Sequence, residues 1–293
     1  MKNLKKYISN AVLATAALLA SASPAWSQVS LGAASGFSVL GGTNVTCTSG
    51  VVAGDVGVAP GSAVPYTNTG CIIGGAVPPA TDAAAVQARA DFLTTYAALQ
   101  ALPCDQTLLS TISGPLTLAP GVYCTGAALT ATDVVLTLDA NGDANAIWVF
   151  KVNGALTGTN FTVVMAGGGQ PCNVYWVPAA AVTMTTSALK GNIVAGDATG
   201  GSVTLTGGSV AGRVLANVAV TMTGASVIGC DALSPTSVCH GKKHHRHYKN
   251  HKKCNQGIGN GAEGCDPGNS NQGDDDRSND ERNDAPGRKG GNK

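Results

Sequence analysis

The chain has 293 residues, of which 39 are glycine and only 12% are charged, and its formal net charge is +1. Residues 28–238 contain four basic residues and nine aspartates, but neither glutamate nor histidine. This composition excludes a basic nucleic-acid-binding surface and leaves few groups for acid–base catalysis, whereas the length allows one sizeable hydrophobic core.

The first 27 residues have the pattern of a secretory signal peptide. Lys2, Lys5 and Lys6 precede an apolar run over residues 11–19, and small residues follow up to Ser27. The apolar run is too short for a stable membrane span, although an uncleaved anchor is the alternative. We therefore predict a secreted protein, extracellular or periplasmic, without a membrane span in its mature form.

The cysteines indicate disulfides, because nine of them occur in a chain predicted to be exported. No two cysteines of the predicted domain, residues 28–238, have the close spacing of zinc ligands, so we predict no metal site. The sequence leaves the connectivity open, but Cys47–Cys71 and Cys104–Cys124 are favoured because each pair closes a short loop. The six candidates are Cys47, Cys71, Cys104, Cys124, Cys172 and Cys230.

Residues 82–102 are predicted to form the single long helix of the domain. Thr81 or Asp82 can cap its N-terminus, and Pro103 ends it. An apolar helix of this length, about 30 Å, needs a large surface to pack on. The residues expected on its buried face are Val86, Ala90, Leu93 and Ala97, with Phe92, Tyr96 and Leu99 beside them.

Short segments rich in valine and threonine flank this helix, and six of them contain a Thr-x-Thr frame. In a β-strand, residues i and i+2 point to the same side, so each frame places two threonines next to each other on one surface. The frames are Thr46/Thr48, Thr130/Thr132, Thr157/Thr159, Thr183/Thr185, Thr204/Thr206 and Thr221/Thr223.

Three of these frames belong to an internal repeat, at residues 182–185, 203–206 and 220–223. Spacings of this size, with small residues at the turns, are typical of the coils of a β-solenoid with variable corners. A β-sandwich is the alternative, but it requires turn-linked antiparallel pairs rather than one repeated coil. The repeat therefore favours a parallel β-helix in which the threonines form files on stacked strands.

The composition changes abruptly after residue 238. Residues 241–253 contain six lysines or arginines and four histidines, and residues 254–293 are mainly glycine, asparagine and aspartate. Such a segment cannot bury enough apolar surface to fold, so residues 239–293 are predicted to be a disordered tail. The basic cluster could contact a polyanion or a cell surface, or bind a metal. A solvated linker or a processing tag is the alternative.

Several motifs of the domain resemble those of the bacterial and fungal ice-binding-like (DUF3494) family, in the same order over residues 31–230. The first is residues 31–40, Leu-Gly-Ala-Ala-Ser-Gly-Phe-Ser-Val-Leu, and the second is Gly-Asp-Val-Gly-Val-Ala-Pro-Gly at residues 54–61. Further motifs occupy residues 118–123, 136–150, 172–176, 190–193 and 212–216.

This resemblance implies a mostly β fold: a right-handed, discontinuous parallel β-helix of triangular section with one long α-helix alongside. Family members that bind ice use one flat face, often with Thr-Ala/Gly-x-Thr/Asn elements, and residues 157–160 match that element. The implied partner is therefore the surface of an ice crystal, bound by a monomer without a cofactor. The candidate ice-binding residues are Thr130, Thr132, Thr157, Thr159, Thr183, Thr185, Thr204, Thr206, Thr221 and Thr223.

Two other functions are compatible with the same fold class. A solenoid without ice activity could serve as an extracellular adhesion or structural module, with the threonines present only because threonine suits strands. Some parallel β-helices are polysaccharide lyases or hydrolases, but these need clustered carboxylates with basic partners. The scattered aspartates of this domain predict a protein that is not an enzyme.

Overall fold

The computed structural model describes residues 29–59, 66–77 and 82–230. The predicted signal peptide and the predicted tail, with Cys239, Cys254 and Cys265, lie outside these ranges. The described ranges form one α-helix, α1 (Ala83–Ala101), two short 3₁₀ helices (Gly32–Gly36 and Pro171–Asn173) and twenty-four strands. In chain order the strands are β1 (Phe37–Gly41), β2 (Asn44–Thr48), β3 (Val51–Ala53), β4 (Asp55–Val58), β5 (Tyr66–Thr69), β6 (Ile72–Ile73), β7 (Gln106–Leu108), β8 (Thr111–Ile112), β9 (Leu116–Leu118), β10 (Gly121–Thr125), β11 (Leu129–Thr132), β12 (Val135–Asp139), β13 (Trp148–Val152), β14 (Leu156–Thr159), β15 (Thr162–Ala166), β16 (Val174–Pro178), β17 (Val182–Thr185), β18 (Ala188–Lys190), β19 (Asn192–Ala195), β20 (Val203–Thr206), β21 (Ser209–Ala211), β22 (Val214–Ala216), β23 (Ala219–Thr223) and β24 (Ser226–Ile228).

These strands wind into a three-sided parallel β-helix. Each coil contributes one strand to each of three eight-stranded sheets, and neighbouring strands are parallel. The helix-side sheet has the order β4-β1-β22-β19-β16-β13-β10-β7, and the threonine sheet has the order β5-β2-β23-β20-β17-β14-β11-β8. The third sheet has the order β6-β3-β24-β21-β18-β15-β12-β9. The predicted solenoid is confirmed, and the sandwich alternative is wrong.

The solenoid is discontinuous, because its first coil lies beside its last. Strand β1 pairs with β22, with Val39 opposite Val214, and the coil of β4, β5 and β6 forms one end of the stack. After that coil comes α1, and the coil of β7, β8 and β9 then forms the other end. The remaining coils return towards β1, so the two halves of the chain complete one continuous set of sheets.

Two apolar layers stabilise this arrangement. The inward faces of the three sheets enclose a central core, in which Phe150 stacks on Trp176 with ring centroids 4.2 Å apart. A second layer lies between the helix-side sheet and α1 and includes Phe92, Leu99 and Tyr175. Removal of these side chains from water supplies the main favourable free energy of folding. As a consequence, α1 covers one face of the solenoid.

The bounds of α1 agree with the predicted helix to within one residue at each end. The side chain of Asp82 caps the N-terminus by accepting a hydrogen bond from the backbone N–H of Ala84 at 2.9 Å. Near the C-terminus, Lys151 Nζ donates to the carbonyl of Leu102 at 2.6 Å, and Pro103 follows. Among the described residues, no helix is long and apolar enough to cross a membrane.

The predicted centre of the buried face is wrong, because Val86, Ala90 and Ala97 are exposed. Phe92 and Leu99, which were expected beside it, are buried. An alanine-rich helix has no single apolar stripe, so the hydrophobic pattern does not select one face. Tertiary contacts select it instead: for example, the Thr95 hydroxyl donates to the carbonyl of Ser30 at 2.8 Å. The buried residues of α1 are Ala85, Ala88, Phe92, Thr95 and Leu99.

Three disulfides join the six candidate cysteines. Cys47 is bonded to Cys71 and Cys104 to Cys124, with Cα atoms 5.9 and 5.8 Å apart. The third bond joins Cys172 to Cys230, with a Cα–Cα distance of 5.7 Å and a sequence separation of 58. The first two bonds hold the two end coils of the solenoid, because Cys71 lies between β5 and β6 and Cys104 lies two residues before β7.

The carboxylate of Asp91 connects α1 to the first 3₁₀ helix. It accepts hydrogen bonds from the backbone N–H of Ala33 and from Gln87 Nε2, both at 2.7 Å. Gly32, with a φ of 53°, allows this approach, because a Cβ atom there would lie 2.3 Å from Asp91 Oδ2. The two hydrogen bonds, that from Ala33 first, hold the pKa of Asp91 below its ordinary value of 3.8.

Asp91→Asn is therefore expected to weaken the acid dependence of stability. A lowered pKa in the folded state means that the carboxylate adds stability above about pH 4 and loses it as the pH falls through the folded pKa. Thermal unfolding measured from pH 7 to low pH should show a shallower fall of Tm for the variant. An acid slope equal to that of the wild type would contradict this role. The variant should keep part of the pH dependence of Tm, because hydrogen bonds from Gly200 and Thr199 also lower the pKa of Asp197.

Candidate binding face

The threonine sheet carries two files of threonine side chains that run along the solenoid. The strand register places the first threonine of each frame opposite the first threonine of the next strand, and likewise for the second. In order along the sheet, the first file is Thr67, Thr46, Thr221, Thr204, Thr183, Thr157, Thr130 and Thr111. The second file is Thr69, Thr48, Thr223, Thr206, Thr185, Thr159 and Thr132.

The burial of alternate residues shows that the threonines of both files point outward. The threonines are exposed or half-buried, whereas the residues between them, such as Met184, Leu205 and Met222, are at most 2% exposed and face the central core. At Gly158 a Cβ atom would lie 2.6 Å from the sulfur of Met184, so the methionine of one strand takes the space above glycine in the next. The outward threonines thus lie on a surface supported by a filled core; we call this surface the threonine face.

All ten threonines proposed from the sequence lie on this face. The structure adds to these ten the frame Thr46/Thr48, which pairs with Thr221 and Thr223. It also adds residues that the sequence reasoning missed: the frame Thr67/Thr69, and Thr111. The signal for Thr67/Thr69 was present in the spacing, but the residue between them is the polar Asn68. A lone Thr111 gave no such signal.

The corner after the second file is formed by a residue with a positive φ in seven successive coils. A positive φ is uncommon for a residue other than glycine. In three of these coils the polar side chains bond to one another: Thr186 Oγ1 donates to Asn160 Oδ1, and Asn160 Nδ2 donates to Asp133 Oδ1 at 2.8 Å. The corner residues are Gly70, Ser49, Gly224, Gly207, Thr186, Asn160 and Asp133.

The other two faces lack such an array. The helix-side sheet is covered by α1. An outward file of the third sheet mixes large and small, polar and apolar side chains, namely Ile72, Val51, Ser226, Ser209, Ala188, Thr162 and Val135.

The chemistry of the threonine face is limited to hydroxyl and methyl groups. Neither file contains an ionisable side chain, although Asp133 follows Thr132 at the corner. Within residues 29–59, 66–77 and 82–230, no three histidine, cysteine, aspartate or glutamate side chains lie close enough to hold a metal ion. The face can therefore form hydrogen bonds and apolar contacts along both files.

Comparison with known proteins agrees with this architecture. The model of the ice-binding-like family matches residues 31–228. An ice-binding protein of Nostoc sp. (strain HG1) is 38% identical over 200 residues, covering 66% of this chain and 71% of that protein. An ice-binding protein of Flavobacterium frigoris (strain PS1) is 33% identical over 210 residues, covering 66% and 74%. The crystal structure of an ice-binding protein from the Antarctic ascomycete Antarctomyces psychrotrophicus is similar, with a TM-score of 0.58 and 29% identity over 69% of this chain and 98% of that one. The chain belongs to the ice-binding-like family.

Proposed function

We propose that this chain binds ice through its threonine face and thereby restrains the growth and recrystallisation of ice. The observation that carries the proposal is the register of the two files, in which threonine follows threonine over all eight strands in the first file and over seven strands in the second. Family membership supplies the ligand, since the similar proteins named above are ice-binding proteins.

The geometry of the files suits an ordered lattice. Strands of a sheet lie about 4.8 Å apart and same-face residues along a strand about 6.7 Å apart, so the hydroxyl groups form a regular two-dimensional array. Each threonine provides a methyl group next to a hydroxyl that both donates and accepts a hydrogen bond. Its β-branched side chain is stiff about χ1, so little conformational entropy is lost on contact. Many weak contacts on one rigid plane then sum to strong adsorption.

In this proposal the protein acts outside the cell as a monomer and needs neither a cofactor nor a catalytic group. The basic and then apolar start of the chain supports export, and three disulfides suit an oxidising compartment. In the same proposal, the basic residues 241–253 contact a cell surface or another polyanion.

Thermal hysteresis and inhibition of ice recrystallisation test the proposal directly. The purified mature chain should show both at micromolar concentration, and a chain ending after residue 238 should retain them, since the face lies within residues 46–223. Absence of both activities from the full chain would overturn the proposal. Binding to cell surfaces without any ice activity would favour the adhesion module instead.

A further inference from the structure

Each strand of the threonine sheet forms one rung of the threonine array. The rung formed by β5 is held in place differently from the rungs inside the sheet. In the inner strands, the residue between the two threonines points into the core, as Leu205 and Met222 do. In β5 this residue is Asn68, which is exposed. Strand β5 also has a neighbour, β2, on one side only. Core packing of a central apolar side chain therefore does not hold Thr67 and Thr69 in place.

A covalent bond takes the place of that packing. Cys47, between the two threonines of β2, is 1% exposed and forms the disulfide with Cys71, two residues beyond Thr69. Asn68 fixes the same turn, because its Oδ1 accepts from the backbone N–H of Cys71 at 2.8 Å and its Nδ2 donates to the carbonyl of Cys71 at 3.1 Å. The backbone N–H of Ser49 also donates to the carbonyl of Thr69, at 2.9 Å.

We propose that Cys47 and Cys71 are positioning residues for ice binding, whose disulfide keeps Thr67 and Thr69 in register as an end rung of the array. This inference rests on the proposed function. The register pairs Thr67 with Thr46 and Thr69 with Thr48. Strands at the edge of a fold open most readily, and a rung that opens is lost to a rigid lattice contact. The disulfide ties this rung to an inner strand.

Removal of the bond tests the inference. Cys47→Ala/Cys71→Ala is compatible with the fold, because Ala131 occupies the equivalent inward position of β11. We expect thermal hysteresis to fall roughly twofold, because one rung of a multivalent array is lost. Amide hydrogen exchange should accelerate in residues 66–73. Thr67→Ala/Thr69→Ala, which removes the contacts of this rung without adding a projecting side chain, should cause a similar fall without faster exchange. The combination of all four substitutions should lower thermal hysteresis no further.

Cys172→Ala/Cys230→Ala is the matched control. Its bond closes a longer loop, 58 residues against 24, so its removal should lower the unfolding temperature at least as much. Because neither cysteine lies in the threonine sheet, thermal hysteresis should stay at the wild-type level. Unchanged hysteresis without Cys47 and Cys71, or equal losses in both disulfide variants, would overturn the inference. If the wild type shows no ice activity, the proposed function fails instead, while hydrogen exchange still reports whether the bond orders the rung.

Discussion

Thr204→Tyr is expected to lower thermal hysteresis strongly and to leave the fold intact. Thr204 lies in β20, with Thr183 on one side and Thr221 on the other in the first file. A tyrosine there projects beyond the plane of the neighbouring hydroxyl groups and holds several rungs away from a flat lattice. Because contacts on one rigid surface multiply, we expect a loss of roughly tenfold at equal protein concentration. The free energy of unfolding should change by less than about 0.5 kcal/mol, as for other surface substitutions.

Thr162→Tyr supplies the control for this experiment. Thr162 is also a half-buried strand threonine, but it lies in β15 of the third sheet, next to Ala188. The same increase in size there should leave thermal hysteresis unchanged. Full activity of Thr204→Tyr would show that the threonine face does not contact ice, and a comparable loss in Thr162→Tyr would assign binding to the third sheet as well.

Trp176→Ala should produce the largest loss of stability. Trp176 is fully buried in the central core, stacks on Phe150, and meets Phe161 edge-on with ring centroids 6.0 Å apart. Its indole Nε1 donates to the carbonyl of Lys190 at 2.9 Å. Truncation of a buried aromatic side chain removes its apolar contacts and leaves a cavity, which costs about 3–5 kcal/mol. The unpaired carbonyl of Lys190 adds to this cost.

Denaturant unfolding followed by circular dichroism measures this effect. Trp176→Phe, which keeps an aromatic ring but loses the hydrogen bond, should lose clearly less stability than Trp176→Ala. Val164→Ala, at a side chain that is 41% exposed on the third sheet, should change the free energy of unfolding by less than about 0.5 kcal/mol. A loss below about 1 kcal/mol for Trp176→Ala would mean that the aromatic stack is not a main source of stability.

The helix illustrates how far local sequence can predict this fold. Its existence and bounds follow from Asp82, the alanines and Pro103, all of which act within the helix itself. Its buried face depends on what packs against it. Small alanines permit close approach on several sides, so the contact of Thr95 with Ser30 and the contact of Asp91 with Ala33 decide the orientation. Neither partner is near the helix in sequence.

The threonine face shows the same difference between what the local sequence determines and what the tertiary structure determines. The alternation of threonine with apolar residues by itself determined that the paired hydroxyl groups of each strand point away from the core, because side chains alternate in any strand. The repeat at residues 182–223 likewise determined that neighbouring coils stack. Only the tertiary structure decided that β2 lies between β23 and β5, which extends the two files by two rungs. That placement depends on parallel pairing between distant segments and on closure of one core, and no local propensity encodes either.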